Sequence, residues 1–263
     1  MLSCVVSKHG NVIIISEISS FVLVFSSVKS WKMEGTVFTP CLEGMKHVKS
    51  EQGEMLTMPF LDLCKTLFPV LDKFGAAMTI VKSDISGNIT RLEKNYLSDP
   101  DKYKYLYTIV QGEIESGTAK GSSSCTNGLL WLTRAMDFLV ELCRNLVAHQ
   151  DWSMSQACGD SYQKTLKKWH GWFASSTSSM GLKLAPDRKK FMEVTAGSGD
   201  INADMERFFS EFGPLLQENH KFLVNMDFKN LKLLQCLQIS SLALILMLFL
   251  FLFIRRLVLV WTT

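Results

Sequence analysis

Apolar side chains recur at helical intervals through most of this chain. From Pro59, the run Phe60-Leu61-Asp62-Leu63-Cys64-Lys65-Thr66-Leu67-Phe68-Pro69-Val70-Leu71 has that spacing. Pro69 marks a break or kink, because its ring removes a donor and crowds the turn before it. Gly75 separates this segment from a long helix expected over Ala76 to Leu97. On that helix Asp84, Asn88 and Arg91 fall at i, i+4 and i+7 and share one face, and Ile80, Val81, Ile85, Ile89 and Leu92 mark an apolar one. Ser98-Asp99-Pro100 reads as a turn and restart, with proline early in the next helix, Tyr103 to Glu115. Gly117 to Ser124 is a Gly/Ser-rich loop. Thr126 or Asn127 is the expected cap of a helix over Leu129 to Val147, which is apolar on more than one side and so central and buried. Ser153 or Ser155 opens another that runs through Tyr162 and His170 towards Leu184. A short helix over Asp187 to Val194 and a long one over Ile201 to Val224, bent at Gly213-Pro214, complete the body. No strand-turn-strand pattern and no repeat period interrupts it. The expected class is all-α, with the body forming one domain.

The two ends differ from the body. Residues 1–32 contain a largely apolar stretch, Val12 to Val28, interrupted by Glu17 and serines, with one lysine ahead of it and no clear cleavage site. We read it as a poorly ordered or loosely attached extension, and Met33 as the natural start of the body. The domain is expected over 33–230. Residues 231–263 form an apolar tail, in which Leu233 to Ile254 carries no charge and has the length of a transmembrane helix. Lysines precede it and Arg255-Arg256 follow it, so flanking charge gives no orientation. A tail anchor and a non-native tail from altered splicing or read-through both fit.

Composition narrows the function classes. A net charge of +3 is too weak to argue for nucleic acid, and no basic run is interleaved with aromatics. Seven cysteines at wide spacings include no CxxC pair, so no metal site is expected, and a reducing compartment, the cytosol, fits their use. No GxSxG, P-loop, HExxH or GxGxxG motif sits in the required context, and the histidines are scattered singly. Neither an enzyme nor a cofactor is expected.

The candidate chemistry lies in three blocks. Asp84, Asn88 and Arg91 together offer acceptors, a mixed amide and a fork of donors, a set that suits a polyhydroxylated or amide-bearing ligand. The same stripe also reads as a solvated helix face. Trp131, with Arg134 at i+3, is a core tryptophan or a flat face for a sugar ring. Lys167-Lys168-Trp169-His170-Gly171-Trp172 combines a core-type histidine, a glycine that permits close approach, and a pattern found at membrane interfaces.

Taken together, Asp84-x-x-x-Asn88-x-x-Arg91, Leu-Leu-Trp131-Leu-Thr-Arg134 and Lys-Lys-Trp-His170-Gly-Trp172 resemble the glycolipid transfer protein family, most closely its plant members, over roughly Met33 to Val224. The resemblance implies a two-layer all-helical sandwich that holds one sphingolipid, with its chains in an apolar pocket and its headgroup in a surface site. It implies that Asp84 accepts from sugar hydroxyls and the ceramide amide, and that Asn88 bonds sugar hydroxyls. Arg91 stands where the family's glycolipid carriers usually have lysine. Trp131 stacks on the sugar, His170 bonds the ceramide carbonyl, and Trp172 contacts the membrane. Family carriers of ceramide 1-phosphate have a basic residue in place of this tryptophan, so a glycosylceramide is favoured and ceramide 1-phosphate is the alternative. The implied protein is a monomer that moves lipid between membranes, touches them transiently and works from the cytosol. A tail-anchored sensor without transfer is the other alternative. The family's closing tyrosine is missing, since no tyrosine follows Tyr162.

Overall fold

A computed structural model describes residues 34–75, 78–169 and 185–226. The N-terminal extension, the apolar tail, His170 and Trp172 lie outside the described residues. In chain order the described helices are α1 (Thr39–Met45), α2 (Thr57–Lys65), α3 (Phe68–Asp72), α4 (Thr79–Ser98), α5 (Leu106–Glu115), α6 (Cys125–Ala148), α7 (Met154–Thr165), α8 (Arg188–Ala196) and α9 (Ile201–Asn225). Among the described residues, strand-like pairing is confined to the isolated bridges Lys49–Met55 and Leu56–Tyr105. The all-α expectation holds.

Helix α6 is the axis. It packs most extensively against α9, then against α4 and α7, with α5 alongside. Its sequence explains this: Leu129, Leu130, Leu132, Met136, Leu139, Val140, Leu142, Cys143 and Leu146 point in several directions and are all buried. A helix that is apolar on most sides must be covered on most sides. Helix α9 shows the narrower pattern. Ile201, Met205, Phe208, Phe212, Leu216 and Leu223 form one buried stripe, and Phe208 packs on Phe38 with ring centroids 5.1 Å apart. The helix continues through Pro214.

Both ends of α6 are closed by other elements. At its start Ser124 Oγ accepts from the Asn127 amide at 3.0 Å. The Glu113 carboxylate of α5 accepts from the Cys125 and Thr126 amides at 2.7 and 2.8 Å. These are donors that have no partner inside the helix. At its finish the Arg188 guanidinium donates to the Leu146, His149 and Trp152 carbonyls, at 2.6, 2.8 and 2.8 Å. The chain entering the domain is held as well. The Thr36 hydroxyl donates to Asp204 Oδ2 at 2.7 Å, and the Val37 amide donates to the Thr195 carbonyl at 2.9 Å.

Several expectations need correction. The cap of α6 is Ser124, so the helix begins one turn before Leu129. Helix α5 begins at Leu106, and Pro100 lies in the turn ahead of it. Helix α7 ends at Thr165 and residues 166–169 turn, which interrupts the expected run there; its remainder towards Leu184 lies outside the described residues. Helix α1, with Pro40 in its first turn, is a further element that the apolar spacing does not predict. Val81 is 36% exposed although helical spacing places it on the apolar face of α4. Its apolar side chain sets a preference, which only a facing element can satisfy. Pro69 does mark a break: α2 stops at Lys65 and α3 starts at Phe68 with proline in its first turn.

Candidate lipid-headgroup site

The site grows from the contact between α4 and α6. The Cys125 thiol lies 3.6 Å from the Arg91 carbonyl oxygen. Three residues along each helix, a Cβ placed on Gly128 would lie 3.6 Å from the Asn88 carbonyl oxygen. The helices therefore run antiparallel, with Arg91 opposite Cys125 and Asn88 opposite Gly128. Gly128 matters because its missing side chain lets the two backbones close together. Continuing the register places Asp84 level with Trp131 and Leu132. The fold thus brings the first two sequence blocks to one helix pair.

This approach changes the reading of the polar stripe. Asn88 is only 2% exposed, so the face carrying it is not a solvated one. Its Nδ2 is buried and has no hydrogen-bond acceptor among the described residues. Asp84 is half-buried. Arg91 is half-buried too, and its Nη1 donates to the Ser124 carbonyl at 3.1 Å and the Ser122 carbonyl at 3.4 Å. The arginine braces the loop that leads into α6, and only the rest of its fork is left for a ligand.

Trp131 is buried at 8% exposure. Arg134, one turn later and 2% exposed, lies beneath it with its guanidinium carbon 4.9 Å from the Trp131 ring centroid. The same guanidinium lies 3.8 Å from the centroid of Trp169, which follows α7. The third block therefore reaches the first two through Trp169. Burial pulls the Arg134 pKa down to about 10, with Asp137 opposing, so the group stays charged at neutral pH. Asp137 is itself bonded to His220 Nε2 of α9 at 2.6 Å. The spacing of Trp131 and Arg134 was visible in the sequence. The stacking of Trp169 on Arg134 was not, since 35 positions separate Arg134 from Trp169.

An all-helical two-layer sandwich is the class this chain presents. The chain belongs to the glycolipid transfer protein family, whose description, Glycolipid transfer protein (GLTP), matches residues 55–197. Over 200 residues it is 82% identical to glycolipid transfer protein 1 of Arabidopsis thaliana, an alignment covering 76% of this chain and 99% of that one. It is 37% identical to Arabidopsis glycolipid transfer protein 3 over 178 residues, 66% of this chain and 76% of the relative. Among solved structures, the one reporting how FAPP2 selects simple glycosphingolipids using the GLTP-fold superposes with a TM-score of 0.68 at 26% identity, covering 74% of this chain and 97% of that one. Human ceramide-1-phosphate transfer protein in complex with 12:0 ceramide-1-phosphate gives a TM-score of 0.61 at 20% identity, over 74% and 96% of the two chains, a likeness of fold alone.

Proposed function

We propose that this chain carries one glycosylceramide at a time between membranes, without making or breaking a covalent bond. The observation that carries the reading is the 82% identity over almost the whole length of a protein named for glycolipid transfer. The α4–α6 face fits it. Trp131 supplies a ring for the sugar, Asp84 accepts from sugar hydroxyls and from the ceramide amide, and Asn88 bonds a further hydroxyl. His170 donates to the amide carbonyl, and Trp172 meets the membrane. A ceramide amide left without partners in an apolar pocket would cost roughly 2–7 kcal/mol, so paired groups of this kind are what the ligand requires. The protein acts as a cytosolic monomer that docks on membranes. Among the described residues no helix is long and apolar enough to cross one.

A second reading, a ceramide 1-phosphate headgroup, is favoured by the buried Arg134 cation. A vesicle assay decides between them. The full chain should move fluorescent glucosylceramide from donor to acceptor vesicles faster than ceramide 1-phosphate. Equal or reversed rates would favour the phosphate, and no movement of either lipid would reject transfer. Carbonate extraction of membranes carrying the full chain tests the site of action, with release to the supernatant expected.

A further inference from the structure

Arg134 is a buried cation with two donor nitrogens left without an acceptor among the described residues. It is 2% exposed, and its Nε and Nη1 are buried without a hydrogen-bond acceptor among the described residues. The rings of Trp131 and Trp169 flank the guanidinium, at 4.9 and 3.8 Å from its central carbon. Indole π systems attract the cation, but they leave its in-plane N–H groups with nothing to donate to. Asp137, whose charge acts on the guanidinium, is hydrogen-bonded to His220. A buried charged donor without an acceptor is costly, and native interiors seldom leave one so. Asn88 on the facing helix repeats the pattern, with Nδ2 buried and lacking an acceptor. Both side chains offer donors, and Trp131 lies between Gly128, opposite Asn88, and Arg134 along α6.

We propose that Arg134 is a further headgroup-binding residue, whose Nε and Nη1 donate to an oxygen of the bound sphingolipid beyond the ceramide. The inference rests on the sphingolipid-binding reading above. The ligand chemistry is an oxygen acceptor set against the Trp131 ring, supplied by a sugar hydroxyl or by a phosphate. Asn88 bonds the headgroup from the α4 side and Arg134 from the α6 side. Lysine would keep the charge at this position but not the planar group that fits between two rings.

The test is equilibrium binding of ceramide, glucosylceramide and ceramide 1-phosphate in vesicles to the full chain, its Arg134→Met variant and its Arg134→Lys variant. Thermal unfolding is followed in parallel to confirm folding. Arg134→Met should weaken binding of the headgroup-bearing lipids roughly tenfold or more, while leaving bare ceramide within about twofold. A loss confined to glucosylceramide assigns the acceptor to the sugar, and one confined to ceramide 1-phosphate assigns it to the phosphate. Arg134→Lys should restore part of the binding if the chain folds. An equal loss for all three lipids, or no loss in either folded variant, overturns the proposal while leaving sphingolipid binding intact. A wild-type chain that binds none of the three overturns the functional reading and this proposal with it.

Discussion

A Cβ built on Gly199 would lie 2.8 Å from the Thr36 Cγ2, 3.1 Å from the Gly35 carbonyl carbon and 3.2 Å from the Thr36 nitrogen. The entry to the domain is thus seated against the turn between α8 and α9, with backbone where a side chain would go. Gly199→Ala should destabilise the protein by about 1–3 kcal/mol, the usual cost of forcing atoms into a filled site. Amide exchange at Val37, whose N–H is bonded to Thr195, should rise with it. Gly87→Ala is the contrast: nothing lies within 4 Å of that Cβ, and the residue is inside α4. It should stabilise by roughly 0.5–1 kcal/mol in denaturant unfolding.

The Glu113 carboxylate receives two amides and the Thr126 hydroxyl, the last at 2.6 Å. Glu113→Ala should cost about 1–3 kcal/mol, in the range of a lost helix cap with charged hydrogen bonds. Glu113→Gln keeps an acceptor in place and should cost less. Urea titrations of both variants check the order.

Arg188 holds three carbonyls at the other end of α6, and burial pulls its pKa below the ordinary arginine value. Arg188→Lys should recover only part of the stability lost in Arg188→Ala, because one ammonium cannot reproduce a planar fork. Equal melting temperatures for Arg188→Lys and the wild type would refute this.

Trp131→Ala should slow glucosylceramide transfer about tenfold or more, from lost ring stacking and buried area. Trp131→Phe should retain much of the rate. Asp84→Val should abolish most transfer while leaving the far-ultraviolet circular dichroism spectrum unchanged.

Burial pushes the Cys41, Cys125 and Cys158 thiols up to about 12. A thiol whose pKa is raised by folding contributes its full stability below the unfolded value, and that stability is lost as pH climbs through the folded value. Unfolding free energy should therefore fall between about pH 9 and about pH 12. The described thiols, all free and buried, should resist alkylation at neutral pH until denaturant is added.

Much of the candidate site was legible because it is local. Asp84, Asn88 and Arg91 share a face through helical periodicity alone, and Trp131 and Arg134 are one turn apart for the same reason. What that face meets was not legible. Asn88 is buried because Gly128 lets α6 close on it, and Arg91 is engaged by the carbonyls of a loop more than 30 positions away. Periodicity also puts Val81 on the apolar face, where it stays 36% exposed.

The sequence by itself determined the helical class, the central apolar helix and the residue types of the polar stripe, since these follow from spacing, capping and side-chain chemistry within one turn or two. The tertiary structure alone decided that Glu113 and Arg188 close the ends of α6, that Trp169 comes to rest on Arg134, and that Asn88 and Arg134 are buried with donors unmet. The physical reason is one of range. A helix repeats over a few residues and records its own periodicity, whereas burial and long-range hydrogen bonds depend on which distant segment the packing of the core brings alongside.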